Sequence, residues 1–203
     1  MRKTDVIIAT GNPGKISEIH PLFEDMPLAF SSLRDHWNPP PRIPETGSSF
    51  RENAILKADW VFSRTGVWTL ADDSGLEVDC LGGEPGVRSA RYAGETASDE
   101  ENNATLLHAM DSVAGSSRGA QFRCVIVLRI AETRLLTGEG ICRGEIVRSP
   151  RGAGGFGYDP LFVPEGFDKT FAELDAEQKQ RISHRGRALR DVRRQLRNHL
   201  DWS

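Results

Sequence analysis

The chain has 203 residues, of which 38% are hydrophobic and 27% charged, with a formal net charge of −3. This balance is typical of a packed globular protein and argues against intrinsic disorder, so we expect residues 1–203 to form one domain. No apolar run approaches the roughly 18 residues of a membrane span, and the N-terminus lacks the apolar stretch of a signal peptide.

The number and spacing of the cysteines indicate the redox state of the cellular compartment. Cys80, Cys124 and Cys142 are odd in number and show no C-x-x-C spacing. This pattern argues against a disulfide scaffold and against a zinc site. We therefore expect a cytoplasmic protein with reduced thiols.

The first predicted elements are a strand and a helix. Val6–Ala9 is a short apolar run that ends in a Gly/Pro-rich turn, which is typical of a buried strand. A helix is predicted to open at Lys15. The prolines of residues 39–44 then predict an extended loop.

A second helix and strand follow that loop. Ser49 and Glu52 have the spacing of a capping box, and apolar residues recur behind them at helical spacing. Trp68–Ala71 predicts a buried strand that ends at Asp72 and Asp73.

The second half of the chain predicts a helix and an antiparallel meander. Ser98 and Glu101 form another capping box. Gln121–Ile130, Arg134–Thr137 and Gly140–Val147 are predicted to be three strands separated by turn residues.

The chain closes with a predicted amphipathic helix over Gly186–Leu200. Its apolar face consists of Leu189, Val192, Leu196 and Leu200. Strands and helices thus mix without strict alternation, which predicts an α/β or an α+β fold with a mixed sheet.

Thr10–Lys15 has the sequence T-G-N-P-G-K between the first strand and the first helix. Its glycines would let backbone N–H groups approach an anion, and Lys15 could reach a phosphate. The alternative is an ordinary strand-to-helix turn with Lys15 in solvent.

Asp72 and Asp73 follow an apolar strand. Adjacent strand residues face opposite ways, so one carboxylate can enter a cleft while the other braces the turn. The alternative is a plain turn signal. Glu45 adds another oxygen ligand, and Mg²⁺ needs few protein carboxylates besides substrate phosphates and water.

Gly154–Pro160 has the sequence G-G-F-G-Y-D-P. Phe156 could stack on a base or could plug the core beneath the loop. Asp159 precedes a proline and is therefore expected to be extended, as a fixed acceptor or turn brace.

Polar donors precede the last helix. Lys179, His184 and Arg185 are basic residues, and Arg185 next to His184 offers several donors that suit a keto oxygen on a base. The alternatives are a structural histidine and an arginine on a solvated helix face.

Taken together, these motifs resemble the inosine triphosphate pyrophosphatases, also called dITP/XTP pyrophosphatases. The likeness runs from Thr10 to about Leu189. The joint set is specific, and it comprises in chain order T-G-N-x-G-K, E-T-G-x-S-F-x-E-N-A, A-D-D-S-G-L, P-G-x-x-S-A-R-Y-A-G, G-F-G-Y-D-P and S-H-R-G-x-A-L.

The resemblance implies an α/β fold with a mixed, elongated central sheet flanked by helices, and two lobes with a cleft between them. It implies Mg²⁺-dependent hydrolysis of deaminated purine triphosphates (ITP, dITP and XTP) to the monophosphate and pyrophosphate. It also implies a homodimer.

The resemblance also implies roles for individual residues. Asp73 would be catalytic, and Asp73 and Glu45 would contact the metal. The substrate-binding residues would be Thr10, Gly11, Asn12, Pro13, Gly14, Lys15, Ser74, Phe156, Gly157, Tyr158, Asp159, Lys179, His184 and Arg185.

Two other functions compete with this one. The arginines of the last helix could bind nucleic acid, but the net charge is negative and no aromatic residues interleave with them, so we expect no nucleic-acid partner and no membrane partner. A related hydrolase for modified pyrimidine or 8-oxo-purine triphosphates is the second alternative.

Overall fold

The computed structural model describes residues 3–114 and 117–200. The strands of this part are β1 (Thr4–Ile8), β2 (Leu28–Ser32), β3 (Trp68–Val78), β4 (Gly119–Ala131), β5 (Arg134–Ile146) and β6 (Phe162–Pro164). The α-helices are α1 (Pro13–Ile19), α2 (Leu33–His36), α3 (Phe50–Thr65), α4 (Asp99–Ala109), α5 (Ala176–Ile182) and α6 (His184–Leu200). No helix of the described residues is both long and apolar enough to span a membrane.

The described strands form one mixed sheet in the order β2-β1-β3-β4-β5-β6. β1 pairs in parallel with β2 and with β3, and Ile8 lies opposite Leu70 of β3. β5 and β6 pair antiparallel, with Glu145 opposite Val163. The predicted α/β fold with a mixed sheet is confirmed.

The chain divides into two compact units. Unit 1 comprises Met1–Asp73, Cys124–Gly140 and Arg185–Ser203, and unit 2 comprises Ser74–Arg123 and Ile141–His184. The single-domain organisation stays a prediction.

Unit 1 has an aliphatic core. β1 and β4 contribute buried β-branched and leucine side chains, and α6 packs Leu189, Val192 and Leu196 against them. These three residues belong to the predicted apolar face of the helix, whereas the side chain of Leu200 lies outside the described part of the chain. Burial of one such side chain contributes about 1.5–3 kcal/mol.

Unit 2 has an aromatic core. Phe122 meets Phe162 edge to face with ring centroids 4.8 Å apart, and Phe162 contacts Phe171 at 5.0 Å. Offset and edge-to-face pairs of this kind stabilise beyond their buried area. This cluster joins β4, β6 and the turn at Phe171 within unit 2.

Two strand boundaries differ from the sequence prediction. β3 does not end at Asp72 and Asp73 but continues to Val78, and β5 is one strand where two were predicted. Turn residues such as glycine interrupt a sequence pattern without interrupting the pairing when neighbouring strands supply the hydrogen bonds. Both aspartates therefore lie within a strand.

Helix starts follow the predicted caps with one change. Ser98 and Glu101 form a complete capping box at α4. At α3, Ser49 Oγ accepts from the N–H of Glu52, but the Glu52 carboxylate returns to the N–H of Ser48 at 2.7 Å.

Three arginines in the second half of α6 form ion pairs. Arg193 and Arg197 both contact the carboxylate of Asp25, at 2.5 and 2.7 Å, and Arg194 contacts Asp191. The first two pairs connect α6 to the segment before β2, within unit 1.

A substitution at Gly138 tests how closely α6 packs on β5. A Cβ at Gly138 would lie 2.3 Å from the Ala188 carbonyl oxygen and 2.9 Å from a Val192 methyl group. We expect Gly138→Ala to lower the free energy of unfolding by about 1–3 kcal/mol, because the helix must shift. Urea unfolding measures the effect.

The control for that substitution is Gly11→Ala, because a Cβ at Gly11 meets no atom within 4 Å. Equal unfolding midpoints for the two variants would show that α6 does not pack on β5 as described.

Candidate active site

The parallel pairing of β1 and β3 positions the polar motifs of unit 1. Because parallel neighbours end at the same edge of a sheet, the loop after Ile8 and the residues after Leu70 lie side by side. The N–H of Ala9 donates to the carbonyl of Leu70 at 2.8 Å and holds the loop there. Lys15 and Asp72 thereby come together.

The loop before α1 is closed by Asn12. Its side-chain oxygen accepts hydrogen bonds from the N–H groups of Gly14 at 2.8 Å and Lys15 at 3.4 Å. Thr10 Oγ1 accepts from the N–H of Asn12 at 3.2 Å. Because side chains of the loop already accept hydrogen bonds from these N–H groups, the group of the loop that can attract an anion by its charge is the Lys15 ammonium.

Asp72 is buried between two cations. One of its oxygens lies 3.0 Å from Lys15 Nζ and 3.2 Å from Arg185 Nη2. Burial would raise the pKa of Asp72, but the charges of Lys15 and Arg185 outweigh it and hold that pKa well below its ordinary value. Asp72 is therefore a fixed anion that clamps both cations.

Arg185 is likewise fully buried. Besides Asp72, its guanidinium contacts the carboxylate of Glu18 on α1. Burial would lower the pKa of Arg185, yet Glu18 and Asp72 raise it. The sequence suggested a donor for a substrate base, whereas this geometry favours a residue that braces Asp72.

Asp73 faces the opposite side of β3 and has different partners. Its oxygens accept from Lys57 Nζ at 2.9 Å and from the Asn53 amide at 3.2 Å. Burial raises the pKa of Asp73, Lys57 and Lys15 oppose that rise, and the like charge of Glu45 adds to it. The net result is a pKa above the ordinary value for an aspartate, in contrast to Asp72.

Lys57 is a residue of the candidate site that the sequence predictions missed. Its buried Nζ lies 2.7 Å from Glu45 and 2.9 Å from Asp73, so one ammonium bridges both candidate metal ligands. The available signal was a lysine beside the apolar stripe of α3, next to Ala58 and one turn after Asn53. A lysine in that position needs buried partners.

The charges of this cluster do not cancel. Lys15, Lys57 and Arg185 face the carboxylates of Glu18, Glu45, Asp72 and Asp73. When these seven side chains are ionised, their own charges sum to −1; Arg42, which lines the adjoining pocket, is not part of this sum. Excess carboxylate of this kind fits a bound cation.

A pocket of about 280 Å³ opens in unit 1 beside the cluster. It is lined by Ala9, Thr10, Gly11, Lys15, Leu33, Pro40, Pro41, Arg42, Ile43, Glu45 and Lys57. Its volume is at the lower end for ligand sites and suits a small polar group.

Unit 2 holds the other predicted site residues. Asp159 is buried, and its carboxylate accepts from Lys179 Nζ at 2.6 Å and from the N–H of Phe156 at 2.9 Å. The Lys179 ammonium lies 4.8 Å from the centroid of the Phe156 ring. Asp159 lies in a 3₁₀ turn over Asp159–Leu161, so the predicted extended conformation is wrong, but its carboxylate does brace the glycine-rich loop. The Lys179 ammonium and the Phe156 ring lie side by side next to it.

The remaining predicted residues of unit 2 have structural contacts. The Tyr158 hydroxyl donates to the Ser89 carbonyl at 2.9 Å, and the carbonyl of Gly157 accepts from Asn103 at 3.0 Å. The ring of His184 stacks on Phe122 with centroids 4.6 Å apart. Ser74 is half-buried.

Comparison with known proteins decides the family. The Ham1 family model matches residues 6–195. The chain belongs to the Ham1 family.

Relatives of this Ham1-family chain cover it almost end to end. The dITP/XTP pyrophosphatase of Geobacter sulfurreducens is 48% identical over 98% of both chains, and that of Thermus thermophilus is 49% identical over 94% of this chain and 90% of its own. The solved HAM1 protein of Coxiella burnetii superimposes with a TM-score of 0.85 at 42% identity, covering 98% of this chain and 100% of that one. The predicted family resemblance is confirmed.

A substitution at Lys57 tests whether its ammonium neutralises the buried carboxylates of the cluster. We expect Lys57→Met to lower the free energy of unfolding at pH 8 by about 3–5 kcal/mol, since buried carboxylates lose their counter-ion. The loss of unfolding free energy in this variant should be smaller near pH 5. Asp73 has a raised pKa, so its ionised form costs stability as pH rises through that pKa, and protonation relieves the variant.

The matched control is Lys3→Met, at an exposed lysine of unit 1. Denaturant unfolding of both variants at the two pH values gives the comparison. A loss for Lys57→Met that equals the Lys3→Met loss, or that does not change with pH, would contradict the bridging role.

Proposed function

We propose that this chain hydrolyses deaminated purine nucleoside triphosphates (ITP, dITP and XTP) to the monophosphate and pyrophosphate, and so clears them from the nucleotide pool. The substrate class follows from the end-to-end similarity to proteins named dITP/XTP pyrophosphatases. The observation that carries the chemistry is Asp73, a buried carboxylate with a raised pKa in the same unit as Lys15.

The acidic residues fit a divalent cation. Glu45 and Asp73 share one lysine, and the cluster around them has an excess negative charge. Among the described residues, no group of three or more His, Cys, Asp or Glu side chains forms a metal cage. Mg²⁺ suits such a site because it takes one or two carboxylates together with phosphates and water.

We assign Glu45 and Asp73 as the residues that would hold Mg²⁺. When bound, the ion would neutralise charge on the phosphates. The partial exposure of the Glu45 side chain, 27%, leaves it accessible from the pocket.

Asp73 is the proton acceptor in this proposal. A water oxygen bonds to the α-phosphorus, its proton passes to the Asp73 carboxylate, and the bond from that phosphorus to the bridging oxygen breaks to release pyrophosphate. A raised pKa brings a carboxylate closer to the working pH, where a general base is most effective. Lys57 and Asn53 fix its orientation through both oxygens.

The loop of Thr10, Gly11, Asn12, Pro13, Gly14 and Lys15 would hold the triphosphate. Lys15 is the cation that neutralises charge on the leaving pyrophosphate, and it exchanges its contact with Asp72 for a phosphate oxygen. Arg185 remains on Asp72, so the carboxylate keeps a counter-ion when Lys15 turns away. Phosphoryl transfer depends mainly on such positioning and electrostatics.

Base and sugar recognition is assigned to seven residues of unit 2, whereas Arg185 keeps its bracing contact with Asp72; the seven are Ser74, Phe156, Gly157, Tyr158, Asp159, Lys179 and His184. Within this set, Lys179 donates and Asp159 accepts, and a hypoxanthine edge needs a donor for its keto oxygen and an acceptor for its N1–H. Adenine presents the reverse pattern and could pair with neither group, so the loss of the Lys179–Asp159 ion pair would go uncompensated, which disfavours adenine strongly. Phe156 is half-buried beside them and offers a stacking face.

We also propose that the protein is a homodimer, because of its likeness to the family. We propose a cytoplasmic location, because its cysteine content suits a reducing compartment. Nucleic acid and membranes are not part of the proposal.

The identifying experiment is a panel of nucleoside triphosphates with released pyrophosphate as the readout. We expect ITP, dITP and XTP to exceed ATP by a factor of roughly 10⁴ in kcat/KM, because unpaired buried donors and acceptors reject the wrong base. Removal of Mg²⁺ with a chelator should abolish turnover. Preferred cleavage of modified pyrimidine or 8-oxo-purine triphosphates would contradict the substrate assignment.

Asp73→Asn tests the proton acceptor. We expect kcat for ITP at saturating Mg²⁺ to fall about 10²–10⁴-fold, the usual contribution of general-base catalysis. Asp168→Asn, at an exposed aspartate of unit 2, is the control and should leave kcat unchanged. Turnover of Asp73→Asn within about threefold of the parent, far short of the general-base range, would remove Asp73 from this role.

A further inference from the structure

We propose that Arg42 is a further phosphate-binding residue, which contacts the pyrophosphate portion of the substrate. The inference rests on the proposed function, because it deepens the assignment of the same pocket. Arg42 belongs to none of the motifs that identify the family, and its position in the structure is what singles it out.

The first argument is the lining of the 280 Å³ pocket of unit 1. Three of its lining residues are cationic, namely Lys15, Lys57 and Arg42. Lys15 and Lys57 enter from α1 and α3, whereas Arg42 is carried by the loop between α2 and α3. Three cations from three separate segments thus converge on one small pocket.

The second argument is charge. Lys15 and Lys57 are already bound to buried carboxylates, and their cluster has one negative charge in excess. A triphosphate carries about four negative charges near neutral pH. One divalent ion leaves the combined charge of these cluster residues and the substrate negative, so a third cation in the lining of the same pocket would improve binding.

The third argument is the backbone that carries Arg42. Pro39, Pro40, Pro41 and Pro44 surround it, and each proline fixes its own φ angle. A restricted segment loses little conformational entropy when its side chain is ordered by a ligand. The planar guanidinium can also bind two phosphate oxygens at once, which a lysine cannot do.

These features predict a moderate effect on binding. Arg42 is exposed, so solvent and salt screen its charge. We expect Arg42→Ala to weaken binding about twofold to fivefold, the range of an exposed ionic contact. The same contact would exist in the ground state and the transition state, so KM for ITP should rise while kcat changes little.

The test is calorimetric titration of inorganic tripolyphosphate, with Mg²⁺, into the parent, Arg42→Ala, Arg42→Lys and Arg134→Ala. Arg134 is an exposed arginine of unit 1 at the start of β5, outside the pocket lining, so its loss is the matched control for net charge. We expect weaker binding for Arg42→Ala, partial recovery for Arg42→Lys, no change for Arg134→Ala, and a smaller difference at high salt.

Equal affinity of Arg42→Ala and the parent would overturn the inference, as would equal weakening by Arg134→Ala. The substrate panel is a separate readout. If the parent binds tripolyphosphate through Arg42 but cleaves no purine triphosphate, then the proposed function fails and the assignment of Arg42 stands.

Discussion

Two consecutive aspartates buried in the middle of one strand are the constraint on which the site depends. Asp72 and Asp73 are 1% and 6% exposed, and an unpaired charge at that depth would destabilise the fold by several kcal/mol. Each must therefore be matched by cations brought from elsewhere in the sequence. Lys15 and Arg185 form ion pairs with Asp72, and Lys57 forms one with Asp73. The contacts that stabilise the fold are therefore the same ones that build the candidate site.

Strand alternation gives the two carboxylates different chemistry. Asp72 has two cations on one oxygen, and its pKa is well below the ordinary value. Asp73 shares one lysine with Glu45, and its pKa is raised. Pairs of acidic groups whose environments move their pKa values apart commonly divide structural and catalytic roles. Here the fixed anion clamps the cations and the other carboxylate remains able to accept a proton.

Caps, strands and apolar helix faces could be predicted from the sequence, whereas the long-range contacts between side chains could not. The cap of α3 at Ser49, the strand before Asp72 and the apolar face of α6 follow from periodicity and side-chain chemistry. The extension of β3 to Val78 was missed because cross-strand pairing, not local propensity, sustains it. The bridge made by Lys57 and the burial of Arg185 are set by contacts 12 to 167 residues apart, which no local pattern encodes.

A double-mutant cycle between Lys57 and Asp73 tests the central claim most directly. The free energy of unfolding is measured at pH 8 for the parent, Lys57→Met, Asp73→Asn and the double variant. A shared buried ion pair predicts a coupling energy of about 1–3 kcal/mol, with the double variant more stable than additivity allows. Additivity within about 0.5 kcal/mol would show that the two residues do not depend on each other, and would contradict the account.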